Sequence, residues 1–161
     1  MTESSVFKDL PRGWEAYQQH LIDAIRQLTA EQLALGAIPD LRSIGMIAAH
    51  IVGARGRWVW QVLREGGAEL DPLASRDHSG VPITSGNELA RALLATWQPL
   101  KAGLERWTPA DYDEEVKAER HGQQRTFTRG WVVWHLMEHD LHHGGEISIL
   151  LGMHGLPGVD I

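Results

Sequence analysis

Four separate stretches of the 161-residue chain repeat apolar side chains at helical spacing, and glycine or proline follows each stretch. In the first, Trp14, Leu21, Ile25 and Leu28 recur behind Asp9 and Pro11, a pair suited to a helix start, and Gly36 and Pro39 end the segment. In the second, over 43–65, Ile44, Ile47, Ile51, Ala54, Trp58 and Val62 form one stripe that Gly66 and Gly67 stop. The third carries Leu89, Leu93, Trp97, Leu100 and Leu104 behind Ser85 and Glu88, which stand at capping-box spacing. Pro99 inside that run predicts a kink or a late break. The fourth runs over 129–151, with Thr128 as its cap and Gly152 as its stop. A helix with a single apolar stripe must bury it against a neighbour. Four such helices of similar length predict an all-α four-helix bundle, one domain over 1–161.

The connections differ in kind. Residues 66–85 hold three glycines and two prolines with no period. A connection this long is either a lid or a surface crossover between helices that do not form a simple hairpin, and the crossover is the reading adopted. Residues 109–129 are polar, with Gly122 near the centre and Val116 and Phe127 in alternating stretches on either side. That pattern predicts a small β-hairpin before the fourth helix.

Composition then excludes several functions. The chain has no cysteine, so disulfides, thiolate metal sites, iron–sulfur clusters and a cysteine nucleophile are ruled out. With 21 acidic and 15 basic residues the formal net charge is −6, and no basic run stands ready to replace phosphate counterions. A general nucleic-acid binder is therefore not expected. The longest apolar stretch, 44–54, contains His50 and falls short of the ~18 residues a membrane span needs. Residues 1–14 lack the apolar core of a signal peptide. The reading is a cytoplasmic protein with neither membrane nor nucleic-acid partners.

Of 9 histidines, four (His135, His139, His142 and His143) lie in one short segment. At about 100° per residue with His139 at zero, Val132 and Leu150 fall near 20°, Leu136 near 60° and Ile147 near 80°. His143 falls at about 40°, in the middle of that apolar sector, and His139 lies within it. His135 and His142 point about 40° and 60° to the other side of His139. Two inward imidazoles one turn apart can share a metal ion, because neighbouring turns place their Cβ atoms about 5–6 Å apart. A third ligand must come from another helix. His50 is the candidate, standing in an otherwise apolar segment about 60° from Ile47, at the edge of the buried stripe. The alternative for His50 is a hydrogen-bonded core histidine. Three histidines would leave a coordination position open, as catalytic sites do. Neutral imidazole suits Zn, Ni, Cu or Fe(II). Glu146, at about −20°, is read as an acceptor that holds a histidine ring or as a general base, against the alternative of a rim carboxylate paired with arginine. Trp14, Trp58, Trp97 and Trp107 read as core, and Trp131 and Trp134 as a dimer face. His20, His78, His121 and His154 receive no role.

Three segments carry a family resemblance: Ser43-Ile44-Gly45-Met46-Ile47-Ala48-Ala49-His50, His139-Asp140-Leu141-His142-His143-Gly144-Gly145-Glu146-Ile147, and Leu151-Gly152-Met153-His154-Gly155-Leu156-Pro157-Gly158. Together they resemble the DinB-like superfamily, small four-helix bundles with a three-histidine metal site. The resemblance covers most of the chain. It implies His50, His139 and His143 as ligands of a divalent transition metal, zinc or nickel foremost, an up-down-down-up helix order that the long crossover would serve, and a homodimer. DNA binding is not implied. Gly144 stands where the family commonly has arginine and Glu146 where it commonly has glutamine.

Relatives with known activity are thiol-dependent transferases and isomerases, with a few hydrolases. The resemblance therefore implies a metal-dependent enzyme acting on a small molecule, with a low-molecular-weight thiol as a second cofactor in the transferase case. Arg55, Arg57 and Arg129 are the candidates for holding that thiol's carboxylates. The competing reading is a non-catalytic metal-binding stress-response or interaction protein. A ferritin-like di-metal centre needs Glu-x-x-His on two helices, and only Asp140-x-x-His143 is present.

Overall fold

The first long helix, α1 (Ser5–Arg26), begins ahead of Asp9 and encloses Pro11. This computed structural model describes residues 5–120 and 122–160, with side chains described over 9–119 and 122–160. A short capped turn, α2 (Ala30–Leu33), follows and buries Leu33. The Ser43 hydroxyl accepts from the Met46 amide at 3.3 Å and starts α3 (Ile44–Arg55). The chain continues without a break into a π-helical segment, Gly56–Val62, in which the Leu63 amide reaches the Trp58 carbonyl at 2.9 Å.

This π segment departs from the uniform helix that the period predicts. Bonds to the fifth residue back widen the turn, so the buried face slips by one position. Val59 and Leu63 are buried, while Trp58 and Val62 are left half-buried. Half-buried Trp58 packs on the edge of the core and lines a cavity beside it.

The crossover is structured. It holds a 3-10 turn, Ala68–Leu70, and a short helix, α4 (Asp71–Ala74), packed on α3 and on the π segment. Gly56 permits that approach. A Cβ there would lie 2.7 Å from the backbone N and Cα of Ala74.

Ser85 caps α5 (Gly86–Arg106) by accepting from the Glu88 amide at 3.3 Å. The helix runs through Pro99 to Arg106, so the late break expected at the proline does not occur. After α6 (Pro109–Tyr112), strands β1 (Glu115–Arg120) and β2 (Gln123–Thr128) pair antiparallel, with Val116 opposite Phe127 and Ala118 opposite Arg125. The fold is thus mostly helical with one two-stranded sheet. Thr128 accepts from the Trp131 amide at 3.1 Å and opens α7 (Arg129–Met153). Among the described residues, no helix is long and apolar enough to cross a membrane.

α1 packs on α5, and α3 packs on both α5 and α7. The core falls into two apolar clusters. One joins Leu21, Ile25, Ile51, Leu93 and Ile147. The other joins Trp14, Val59, Trp97, Leu100 and Leu136. Along every long helix a polar or charged residue lies where one cluster gives way to the other: Gln18 on α1, Arg55 on α3, Thr96 on α5 and Asp140 on α7, all buried. Arg55 and Asp140 meet in this layer, and Trp14 Nε1 and Gln18 Nε2 donate to Asp140 Oδ2 at 2.8 and 3.1 Å.

Candidate metal centre

α3 and α7 bring three imidazoles to one point. His50 comes from the middle of α3, and His139 and His143 come from successive turns of α7. His50 Nε2 lies 3.2 Å from His139 Nε2. The ring centroids are 4.9 Å apart for His50 with each α7 histidine and 4.4 Å for His139 with His143. One nitrogen from each ring falls within 4.8 Å of the other two, so the three could hold a single ion.

Carboxylates set the tautomers of two rings. His50 Nδ1–H donates to Asp77 Oδ2 at 2.8 Å, and His143 Nδ1–H donates to Glu146 Oε2 at 2.6 Å. An ionised carboxylate only accepts, so the proton sits on Nδ1 and the Nε2 lone pair is free to ligate. Asp77 stays ionised. Burial opposes its charge, but hydrogen bonds from Arg57 and His50, with the charges of Arg57 and His78, outweigh burial and hold the carboxyl at about 2. Arg57 grips it with two nitrogens, at 2.7 and 3.0 Å, and also donates to the Ala74 carbonyl at 2.6 Å. The crossover is thereby clamped to α3 beside His50.

His139 is held neutral. Burial, followed by the neighbouring His143, His50 and His135 rings and Arg55, pushes it down to about 3. Its Nδ1 is buried with no hydrogen-bond partner. With the proton on Nδ1, two Nε2 lone pairs confront each other at 3.2 Å; with the proton on Nε2, a buried lone pair is left without a donor. Both arrangements cost free energy. A cation shared by the lone pairs removes the conflict of the first, and a set of neutral imidazoles suits a divalent transition metal. The residues present therefore fit such an ion.

The sequence profile of the DinB family matches residues 2–159. The chain belongs to the DinB family. Among solved structures it is similar to a DinB-like protein from Bacillus cereus ATCC 10987, with 22% identity over 93% of each chain and a TM-score of 0.72. It is also similar to the DinB-like protein YjoA from Bacillus subtilis, with 15% identity over 95% of this chain and 96% of the other and a TM-score of 0.64. No curated protein matches it.

In this DinB protein the three histidines line a cavity of about 840 Å³, whose walls come from the π segment, the hairpin and α7. A smaller cavity of about 440 Å³, lined by Leu41, Ile47, Ile149 and Met153, lies against His143 and Glu146. His142 is exposed and its Nε2 lies 3.5 Å from Glu146 Oε1, while His135 lines the larger cavity. His20 and His154 are exposed, and His121 lies outside the described residues.

All three arginines expected to hold a cofactor's carboxylates are otherwise engaged. Arg55 is fully buried against Asp140, because a charge placed between the two apolar clusters must be neutralised there. Arg129 pairs with Glu114 at 2.8 Å and lies over the Trp107 ring. Arg57 reaches the cavity wall but is committed to Asp77. Trp14 and Trp97 are core, in edge contact at 5.1 Å. Trp131 is half-buried. It stacks on Phe127 at 4.3 Å and on His135 at 4.9 Å, leaving Trp134 exposed.

Asp77 and Asp140 were not anticipated. Asp140 had a signal, since about 100° from His139 places it at the edge of the apolar sector of α7, beside Ile147, and a carboxylate buried there needs a partner. Asp77 had only an indirect one. Gly53 on α3 and Gly56 at the start of the π segment mark a face that another segment approaches closely, and a Cβ at Gly53 would lie 2.2 Å from Asp77 Oδ1.

Proposed function

We propose that this DinB protein is a metal-dependent enzyme acting on a small molecule, with His50, His139 and His143 as the protein ligands of one divalent transition metal, zinc or nickel. One observation carries the reading. Among the described residues no fourth His, Asp or Glu joins the three-imidazole group, and that group lines a cavity large enough for a small molecule. An ion held there supplies Lewis acidity, which favours the deprotonated form of a water or thiol beside it.

The protein's own groups complete the site. Asp77 and Glu146 keep protons on the Nδ1 atoms of His50 and His143, which aims both Nε2 lone pairs at the shared point. Glu146 is about two-fifths exposed, with 43% of its side-chain surface in contact with solvent, so it can also exchange a proton with the medium. The chemistry is a transfer using a low-molecular-weight thiol or a hydrolysis. The proposal extends to an up-down-down-up order of the four long helices and to a homodimer, for which the exposed Trp134, Leu141 and Ile149 of α7 offer an apolar face. An acidic chain without cysteine is in keeping with a cytoplasmic protein.

The test is turnover by zinc- or nickel-loaded protein against two panels, low-molecular-weight thiols with electrophiles, and esters with amides. The expected result is metal-dependent turnover in one panel that His139→Ala abolishes. Inactivity in both panels at full metal occupancy would instead make the chain a metal-binding protein without catalysis.

A further inference from the structure

The charge lining the cavity runs against that of the chain. The formal net charge is −6, yet the wall beside the histidines carries Arg57, Arg64 and Lys117 against a single carboxylate, Glu119. Arg57 is neutralised by Asp77. Arg64 and Lys117 have no carboxylate partner among the described residues. Lys117 stands on β1, which packs against the π segment, and Arg64 follows the end of that segment, so two separate elements bring free cations to one wall. Arg64 adopts a left-handed backbone with φ 60°, the one non-glycine residue to do so among those described. That conformation closes the π segment, with the Glu65 amide donating to the Val59 carbonyl at 2.9 Å, and it fixes where the Arg64 side chain leaves the helix end. Gln61 and Gln124 add neutral donors to the same wall, and half-buried Trp58, packed on the edge of the core, adds an aromatic surface.

We propose that this cavity receives a small organic anion with an apolar or aromatic body, its carboxylate or phosphate ester held by Arg64 and Lys117 and its body against Trp58. Two cations lining one partly walled cleft attract an anion more strongly than they would on open surface. The inference deepens the enzyme reading and rests on it for the role of the bound molecule, since the histidine end of the cavity is where such a molecule would react. The anion site itself is built from residues outside the histidine group.

The experiment is calorimetric titration of the full chain, zinc-loaded and chelator-stripped, with phenylacetate, phenyl phosphate and the neutral phenylacetamide. One of the two anions should bind at least about tenfold more tightly than the amide in both metal states, and which one it is identifies the anionic group. Arg64→Gln and Lys117→Gln should each weaken anion binding about five- to tenfold, with amide binding and zinc content unchanged. Lys117→Arg should retain binding. Equal affinity for anion and amide, or an anion preference indifferent to both glutamine variants, overturns the proposal even when zinc is fully bound. Loss of the preference on stripping zinc assigns the anion to the metal and overturns it too. An anion preference that survives in a chain unable to bind zinc supports the proposal while contradicting the metal reading.

Discussion

Arg55 on α3 and Asp140 on α7 form an ion pair with no solvent exposure on either side chain, through contacts of 3.0 Å from Nε and 2.8 Å from a terminal nitrogen. Gln18 accepts from the same guanidinium, which also donates to the Leu93 carbonyl at 3.3 Å. The pair therefore ties α1, α3, α5 and α7 together at one level. Asp140 is next in sequence to His139, so the layer that sets the position of α7 also bears on the histidine group.

Removing one partner should be far worse than removing both. Asp140→Ala leaves a buried guanidinium without its counter-charge and should cost about 3–5 kcal/mol in urea unfolding. The double replacement Arg55→Met with Asp140→Leu should recover most of that loss, because well-packed apolar groups of similar volume substitute well for a buried pair. A single variant within about 0.5 kcal/mol of the parent would contradict this account of the layer.

Asp77 acts through His50. Asp77→Ala frees the His50 ring to rotate and to change tautomer, and it leaves Arg57 with only the Ala74 carbonyl as its hold on the crossover. The expected outcome is a folded protein whose zinc affinity, measured by competition with a chromophoric chelator, falls about 10–100-fold. Unchanged affinity would remove Asp77 from the site.

Two glycines should respond in opposite directions. Gly56→Ala has no room, with the Ala74 backbone at 2.7 Å, and should destabilise by about 1–3 kcal/mol. Gly145→Ala meets nothing within 4 Å on an exposed helical turn and should stabilise by about 0.5–1 kcal/mol. Thermal unfolding of the two variants side by side distinguishes close approach from a general intolerance of change.

Local signals in the sequence reached the helical elements well. The apolar stripes located the long helices, and Ser85 and Thr128 marked two of their starts, because capping depends on residues only three positions apart. The alternation around Gly122 located the hairpin. The angular argument set His139 and His143 toward the core, and the structure brings them together with His50. What escaped depends on contacts distant in sequence. The π slip that exchanges Trp58 for Val59 lies in a segment packed against α4 and β1, and no local period reports it. Asp77 reaches His50 only because the crossover folds back onto Gly53 of α3 and Gly56 of the π segment, so its role is a tertiary fact.

The central claim is that His50, His139 and His143 bind one ion together. Elemental analysis of protein refolded with zinc and dialysed against metal-free buffer tests it most directly, with circular dichroism confirming that each variant folds. The account predicts one zinc per parent chain, its loss in each of His50→Ala, His139→Ala and His143→Ala, and its retention in His135→Ala and His142→Ala. One zinc per chain retained in all three ligand variants would contradict it.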